Sequence, residues 1–353
     1  MLYYSRRKFL KGLATLPLVL SSPVVLANSL FSKNKTHNMG NASRGSAYNP
    51  PYLDLHKSGE LRNRADVLWD MMKSCDICPR ECNANRLRGN RGDCKASSNL
   101  EISSFHAHFG EEPELVGSNG SGTIFFTNCS LLCVFCINYD VSHLGRGRNY
   151  TTDDLANMML ALQKHGCHNI NLVTPSHYVP HILRAIDRAA GQGLRLPIVY
   201  NTCGWEKIEI MQLLDGIVDV YLADFKYGDS SAAGKYSAGA YDYPEITKNA
   251  FLEMHRQVGV ARPDPKTGLV NRGLMVRHLV MPENVCRTDL IMNWIAENLP
   301  KDTYINIMSQ YTPMYKAFDY DEISRRITLS EYRKAINWAR KAGLTNVQVQ
   351  GRI

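Results

Sequence analysis

From Thr123 onward the chain alternates short apolar runs with longer stretches whose apolar residues recur every three or four positions. The short runs predict strands at Thr123–Thr127, Asn169–Val173, Ile198–Thr202, Val218–Lys226, Leu274–Met281 and Tyr304–Ser309. The longer stretches predict helices at Asp153–His165, Val179–Ala190, Lys207–Leu214, Ile246–Val258, Thr288–Asn298 and Leu329–Ala342. In the first of these helices Leu155, Met158, Met159 and Leu162 share one face, and Thr151 or Thr152 can cap it. Gly343 stands just past the last. Six strand–helix pairs in series predict an α/β fold with a parallel sheet and right-handed crossovers. Six is fewer than the eight of a full barrel, and in parallel barrels the site lies at the C-terminal strand ends. Those ends carry polar residues here: Cys129, then Thr174 to His177, Asn201 and Thr202, Asp224 and Lys226, Arg277 and His278, and Gln310 and Tyr311.

The N-terminus has another pattern. Residues 5–11 read Ser-Arg-Arg-Lys-Phe-Leu-Lys, and an apolar run from Gly12 to Ala27 follows, broken by Ser21, Ser22 and Pro23. It is short for a membrane span, which takes roughly 20 apolar residues. Basic start, apolar middle and small residues at Val25-Leu26-Ala27 make an export signal over residues 1–27. The paired arginines resemble the twin-arginine signal, a receptor-read address. It implies an exported or membrane-associated protein whose membrane contact runs through the signal only; a signal left unused implies a cytoplasmic one. Residues 28–69 read as linker and N-terminal extension, the part to residue 50 being rich in Ser, Asn, Gly and Lys.

Composition narrows the function classes. Of 353 residues, 44% are hydrophobic and 21% charged, enough apolar content for a packed core. Net charge is +8, but Arg6, Arg7, Lys8 and Lys11 supply half of that excess inside the signal. What remains lacks the concentrated basic face that nucleic acid requires, so no nucleic-acid partner is expected. Seven of the ten cysteines fall in two tight clusters, which points to metal.

The first cluster lies in a segment spanning residues 70–121. Cys75, Cys78, Cys82 and Cys94 follow the spacing C-x2-C-x3-C-x11-C, with Gly89 and Gly92 before the last. Two sulfurs of one turn can reach the same centre, and the glycines let the chain fold back to bring in Cys94. Such a knuckle holds zinc or an iron–sulfur cluster, and the spacing does not choose between them. The competing assignment is two disulfides, which an exported protein can keep.

The second cluster follows a predicted strand directly. Cys129, Cys133 and Cys136 are spaced C-x3-C-x2-C. Three ligands are one short of a structural zinc site, unless His143 or Cys167 completes it. A cubane held by three thiolates leaves one iron open to a small molecule. With Phe135 before the last cysteine, the motif resembles that of the radical S-adenosylmethionine (radical SAM) enzymes. His108-Phe-Gly-Glu111-Glu112-Pro113, Gly120 to Phe126, Asn171 to His177 and Asp224-Phe-Lys226-Tyr resemble the PflX-like branch, related to pyruvate formate-lyase activating enzyme. The resemblance covers roughly residues 70–350.

The resemblance implies a partial (β/α)6 TIM-like barrel over residues 122–350 and a [4Fe-4S] cluster on Cys129, Cys133 and Cys136. S-adenosylmethionine would chelate the open iron, and its reductive cleavage would yield a 5′-deoxyadenosyl radical that abstracts hydrogen from substrate. Asp224, Lys226 and Arg277 match the cofactor contacts of the activating enzymes; Asn201 and Thr174 are weaker candidates. Implied partners are an electron donor such as a flavodoxin or ferredoxin, and a protein substrate of the glycyl-radical type. The alternatives are an iron–sulfur electron-transfer protein or a zinc-binding protein, neither using S-adenosylmethionine. Two features depart from the family pattern. Thr174-Pro175-Ser176 stands where many members have Gly-Gly-Glu, and the additional cysteines precede the motif instead of following it. His106, His108, Glu111 and Glu112 precede the first predicted strand, either lining the mouth or, as favoured here, in a solvated loop. Tyr311, Pro313 and Tyr315 are candidates for shaping a pocket, and Cys167, Cys203 and Cys286 read as buried free thiols.

Overall fold

The computed structural model describes residues 48–350; the export signal expected over residues 1–27 and most of the expected linker lie outside the described residues. Two helices come first, α1 (Tyr52–Ser58) and α2 (Glu60–Met71). After the cysteine-rich loops come β1 (Leu100–His108), α3 (Pro113–Val116), β2 (Ser121–Phe126), α4 (Tyr139–Ser142), β3 (Arg148–Tyr150) and α5 (Thr152–His165). Regular alternation follows through β4 (Ile170–Val173), α6 (Val179–Gly191), β5 (Ile198–Thr202), α7 (Ile208–Leu213) and β6 (Val220–Asp224). Next are α8 (Ser230–Tyr236), α9 (Tyr243–Val258), β7 (Gly273–Leu279), α10 (Thr288–Asn298), β8 (Tyr304–Met308), α11 (Leu329–Lys341) and β9 (Val347–Val349). No described helix is long and apolar enough to cross a membrane.

The strands form one mixed sheet in the order β3-β1-β2-β4-β5-β6-β7-β8-β9. From β2 to β9 every neighbour is parallel, while β1 runs antiparallel to β2 and β3 antiparallel to β1. The α/β class and the six strand–helix pairs expected from the sequence are present. Their caps are written locally: Thr151 accepts from the Asp154 amide at 3.1 Å and Asp154 returns a bond to the Thr151 amide at 2.8 Å. Thr328 and Glu331 repeat the device on α11.

Residues 52–69 of the N-terminal extension carry α1 and most of α2, which pack on α6. Leu61, Ala65 and Leu68 form their buried stripe, and Arg184 stacks 3.8 Å over the Trp69 ring. His106 and His108 lie on β1, paired with Thr123 and Ser121 of β2, not in a solvated loop.

Alternate residues of the parallel strands face two different cores. One face buries Ile170, Tyr200, Tyr221, Val276 and Ile305 in the large core that includes the helices. The other buries Val199, Val220, Leu222, Met275 and Tyr304 in a smaller core with Leu115 of α3. By the same alternation Asn171, Asn201, Asp224, Arg277 and Asn306 point to this second face. It is apolar low along the strands and polar at their C-terminal ends.

Three buried histidines make the fold acid-sensitive. Burial pushes His177 down to about 3, and His181 and His278 to about 4, against the opposing effect of carbonyl acceptors at Thr127, Ser98 and Phe225. They stay neutral in the fold, while the unfolded chain takes up protons from about pH 6.5 downward. Stability is therefore fully present above that value and is lost as pH falls toward the folded values. Near pH 5 the loss is expected to be about 2 kcal/mol per histidine. Urea unfolding between pH 7 and 5 measures it, and a flat profile would contradict this account.

Candidate active site

β2 delivers the cysteine motif. His177 Nε2 lies 2.7 Å from the Thr127 carbonyl and Asn128 Nδ2 donates to Glu101 Oε2 at 2.7 Å, fixing the chain just ahead of Cys129. Cys129, Cys133 and Cys136 then line a cavity of about 340 Å³. Thr174, Asn201, Asp224, Lys226 and Arg277 line the same cavity, so the residues assigned from sequence to the first centre and its cofactor meet there. Its size is that of a small-molecule site.

The charged groups form one network. Lys226 Nζ donates to Asp224 Oδ2 at 2.6 Å. Arg277 donates from Nε to Asp224 Oδ1 at 2.8 Å, from Nη1 to Glu111 Oε2 at 3.1 Å and from Nη2 to Asn201 Oδ1 at 2.6 Å. Asn201 and Asn171 each donate to Glu111 Oε1, at 3.2 and 3.3 Å. Burial alone would raise the Asp224 carboxyl; Arg277 and Lys226 outweigh it and hold it below the usual range. At Lys226 burial opposes the charged form, and Asp224 overcomes it and keeps the ammonium charged. Asp224 and Glu111 thus pair with Lys226 and Arg277 in a desolvated place, with Glu112 acting on Arg277 as well.

Backbone contacts set this geometry. Tyr243 of α9 accepts from the Lys226 amide at 2.8 Å and donates to the Asp224 carbonyl at 3.0 Å. Gly204, with φ of 80°, passes so close to β6 that a Cβ there would sit 2.3 Å from the Asp224 carbonyl oxygen. Thr174 takes a left-handed φ of 58° and its amide donates to the Asn201 carbonyl at 2.9 Å.

Around the cysteines, Ser237 Oγ donates to Cys133 Sγ and Ser142 Oγ to Cys136 Sγ, both at 3.2 Å. Ser142 also stands 2.9 Å from His143 Nδ1, between that ring and Cys136. Cys167 packs in the large core. Neither His143 nor Cys167 is placed to complete a zinc set. Cys203 lines the cavity and is not fully buried, whereas Cys286 is buried. Tyr311 lines the cavity and donates to the Ile323 carbonyl at 2.7 Å. Tyr315 instead stacks on Tyr139 with centroids 5.1 Å apart.

The second cysteine set adjoins the first: the Cys129 amide donates to the Cys94 carbonyl at 3.4 Å. All ten cysteines are free, so the disulfide alternative is not realised. A Cβ on Gly92 would meet Cys82 Sγ at 2.9 Å and Cys94 Sγ at 3.6 Å, so only glycine fits between them. Arg86 is wholly buried, with Nη1 3.8 Å from Cys75 Sγ and Nε and Nη2 donating to the Ser97 carbonyl. It has no carboxylate partner among the described residues. A buried guanidinium without a counter-ion is costly, and thiolates on a metal supply the missing negative charge. The donor set therefore fits a metal-bound centre. Among the described residues no three His, Cys, Asp or Glu side chains converge closely enough to share a single ion. An iron–sulfur cluster, which spreads its thiolates over several irons, does not require that convergence.

No family model matches the chain. It is 31% identical over 300 residues to a protein of Methanocaldococcus jannaschii bearing the name uncharacterized protein MJ0674, a match spanning 83% of this chain and 82% of that one. The chain belongs to the family of that protein. Among solved structures, the crystal structure of Streptococcus suis SuiB aligns with 64% of this chain at 13% identity and a TM-score of 0.42. The alignment covers 47% of the SuiB chain, about half its length.

In this member of the family, Glu111 and Glu112 do not lie in the solvated loop favoured from sequence. Glu111 is mostly buried and completes the charge network. Glu112, also buried, accepts from Asn306 Nδ2 at 3.0 Å. The residue that escaped the sequence reading is Arg80, between Cys78 and Cys82, which reaches into the Cys129–Cys136 loop.

Proposed function

We propose that this chain is a radical SAM enzyme of the PflX-like branch, its sheet and helices forming a partial (β/α)6 barrel. The observation that carries this reading is one cavity lined both by the three cysteines and by Asp224, Lys226 and Arg277. Cys129, Cys133 and Cys136 would hold a [4Fe-4S] cluster. Bound there, the cluster supplies the electron for reductive cleavage of S-adenosylmethionine, giving a 5′-deoxyadenosyl radical that takes hydrogen from a substrate.

The protein's part is binding and orientation. Lys226 spends one of its three donors on Asp224, leaving two for the methionine carboxylate. Asp224 accepts from an amino group or a ribose hydroxyl. Arg277 spends three of its five N–H donors on Asp224, Glu111 and Asn201, so it positions those residues and keeps one N–H on each terminal nitrogen for the cofactor. Asn201 and Thr174 line the cavity beside them and offer amide and hydroxyl contacts. Phe125, Val173 and Leu279 give it apolar walls that exclude water.

Cys75, Cys78, Cys82 and Cys94 would hold a second centre; of zinc and iron–sulfur, the spread of the side chains favours the iron–sulfur cluster. The electron would come from a flavodoxin- or ferredoxin-type donor, and the acceptor of the radical would be a protein of the glycyl-radical type. Residues 1–27 would direct export or membrane association. The test is anaerobic: the chain is reconstituted with iron and sulfide, reduced with dithionite and given S-adenosylmethionine. 5′-Deoxyadenosine and methionine are expected. A clustered protein that binds no S-adenosylmethionine would leave electron transfer as the reading, and a colourless zinc protein would sink the proposal.

A further inference from the structure

The cysteine-rich segment touches the Cys129–Cys136 loop through one side chain in particular. Arg80 Nε donates to the Ser130 carbonyl at 2.9 Å and Nη2 to the Leu131 carbonyl at 3.3 Å. Nη2 also donates to the Ser237 carbonyl at 3.2 Å, and Nη1 to the Ala238 carbonyl at 2.6 Å. Its guanidinium lies 4.8 Å over the Trp205 ring. All four acceptors are main-chain carbonyls, and no carboxylate pairs with Arg80 among the described residues. Two of them flank the path from Cys129 to Cys133. The other two belong to the turn after α8, where Ala238 holds a left-handed φ of 49° that a residue with a Cβ seldom adopts unless held.

That turn carries Ser237. Its hydroxyl donates to Cys133 Sγ at 3.2 Å. Tyr227 Oη lies 2.7 Å from the same oxygen, a contact in which either hydroxyl can donate, and with Tyr227 as donor the serine hydrogen is left for the sulfur. Ser237 is fully buried, so water does not compete for the bond. We propose that Arg80 ties the cysteine-rich segment to the reduction potential of the Cys129–Cys133–Cys136 centre, by fixing the turn from which Ser237 donates a hydrogen bond to Cys133. A donor on a ligating sulfur stabilises the more negative, reduced state and raises the potential. Arg80 and Ser237 are thus positioning and tuning residues. The Ser142 bond to Cys136 is an internal control: it arises on α4, which Arg80 does not contact. The inference rests on the reading of the three cysteines as cluster ligands.

The test is a double-variant comparison by potentiometric titration of the reconstituted chain, followed by electron paramagnetic resonance. Ser237→Ala leaves every Arg80 bond in place and is expected to lower the midpoint potential. Arg80→Gln is expected to lower it by a similar step, and the two together by no more than either alone. Arg80→Gln combined with Ser142→Ala is expected to give the sum of the separate steps. Should Arg80→Gln fail to hold its cluster, Arg80→Lys takes its place, keeping the charge but not the fork. An unchanged potential in a clustered Arg80 variant, or additivity with Ser237→Ala, overturns the inference and leaves the functional reading standing. A wild-type chain that takes up no cluster at the three cysteines overturns both.

Discussion

Cys133→Ala is expected to abolish 5′-deoxyadenosine formation and to remove the iron held at the Cys129–Cys136 loop. Only two thiolates would remain there, and Ser237 would lose the sulfur to which it donates. Weakening a supporting contact of a metal ligand costs about 10–100-fold; loss of the ligand itself is expected to exceed that. Metal at Cys75, Cys78, Cys82 and Cys94 is expected to persist, because those sulfurs sit on a separate fold-back around Gly92 and Arg86. Iron and sulfide analysis alongside the nucleoside assay checks both halves. Product and iron at wild-type levels in this variant would refute the assignment of the site.

Asp224→Ala carries the second largest effect. It leaves Arg277 and Lys226 in a mostly buried space, with Glu111 paired to Arg277 and Glu112 nearby as the remaining acids. Removing one member of a buried, hydrogen-bonded charge set costs about 3–5 kcal/mol, because the partners stay desolvated and uncompensated. Urea unfolding should show a loss of that order, and equilibrium dialysis should show S-adenosylmethionine affinity falling more than about tenfold. Asp224→Asn keeps one acceptor and is expected to lose less stability than alanine. Equal stability of the alanine variant and the wild type would mean that the network is not stabilised as a unit.

The elements legible in the sequence are those whose signal is local. Leu155, Met158, Met159 and Leu162 define α5 by spacing alone, and the Thr151–Asp154 cap lies within four residues. β5 and β8 stand out because both faces are buried. α2 carried a readable stripe at Leu61, Ala65 and Leu68, but it adjoins a polar run that drew the eye to a linker. β1 was concealed by its mixed faces, with Ser104, Phe105 and His106 exposed beside buried Leu100 and Ile102. The cysteines and the Asp224–Lys226 pair were visible as types and spacings. Glu111 was visible as a residue but not as a buried member of the network, because its partners Asn171, Asn201 and Arg277 lie 60 to 166 residues further on. Arg80 was hidden for a stronger reason: its acceptors are backbone carbonyls, which no side-chain pattern announces.

The reach of Arg80 has a bearing on the order in which the molecule can be completed. Its nearest acceptor is 50 residues downstream and its farthest 158, beyond most of the parallel strands. Contacts of such separation form late, since long chain segments must be ordered before any of them is gained. During synthesis the four thiols of the cysteine-rich segment emerge well before the turn that ties that segment to the Cys129–Cys136 loop. Cys75, Cys78, Cys82 and Cys94 therefore pass through an interval as accessible, uncommitted thiols. Whatever reaches them in that interval, metal or oxidant, decides whether the two cysteine sets can close on one another.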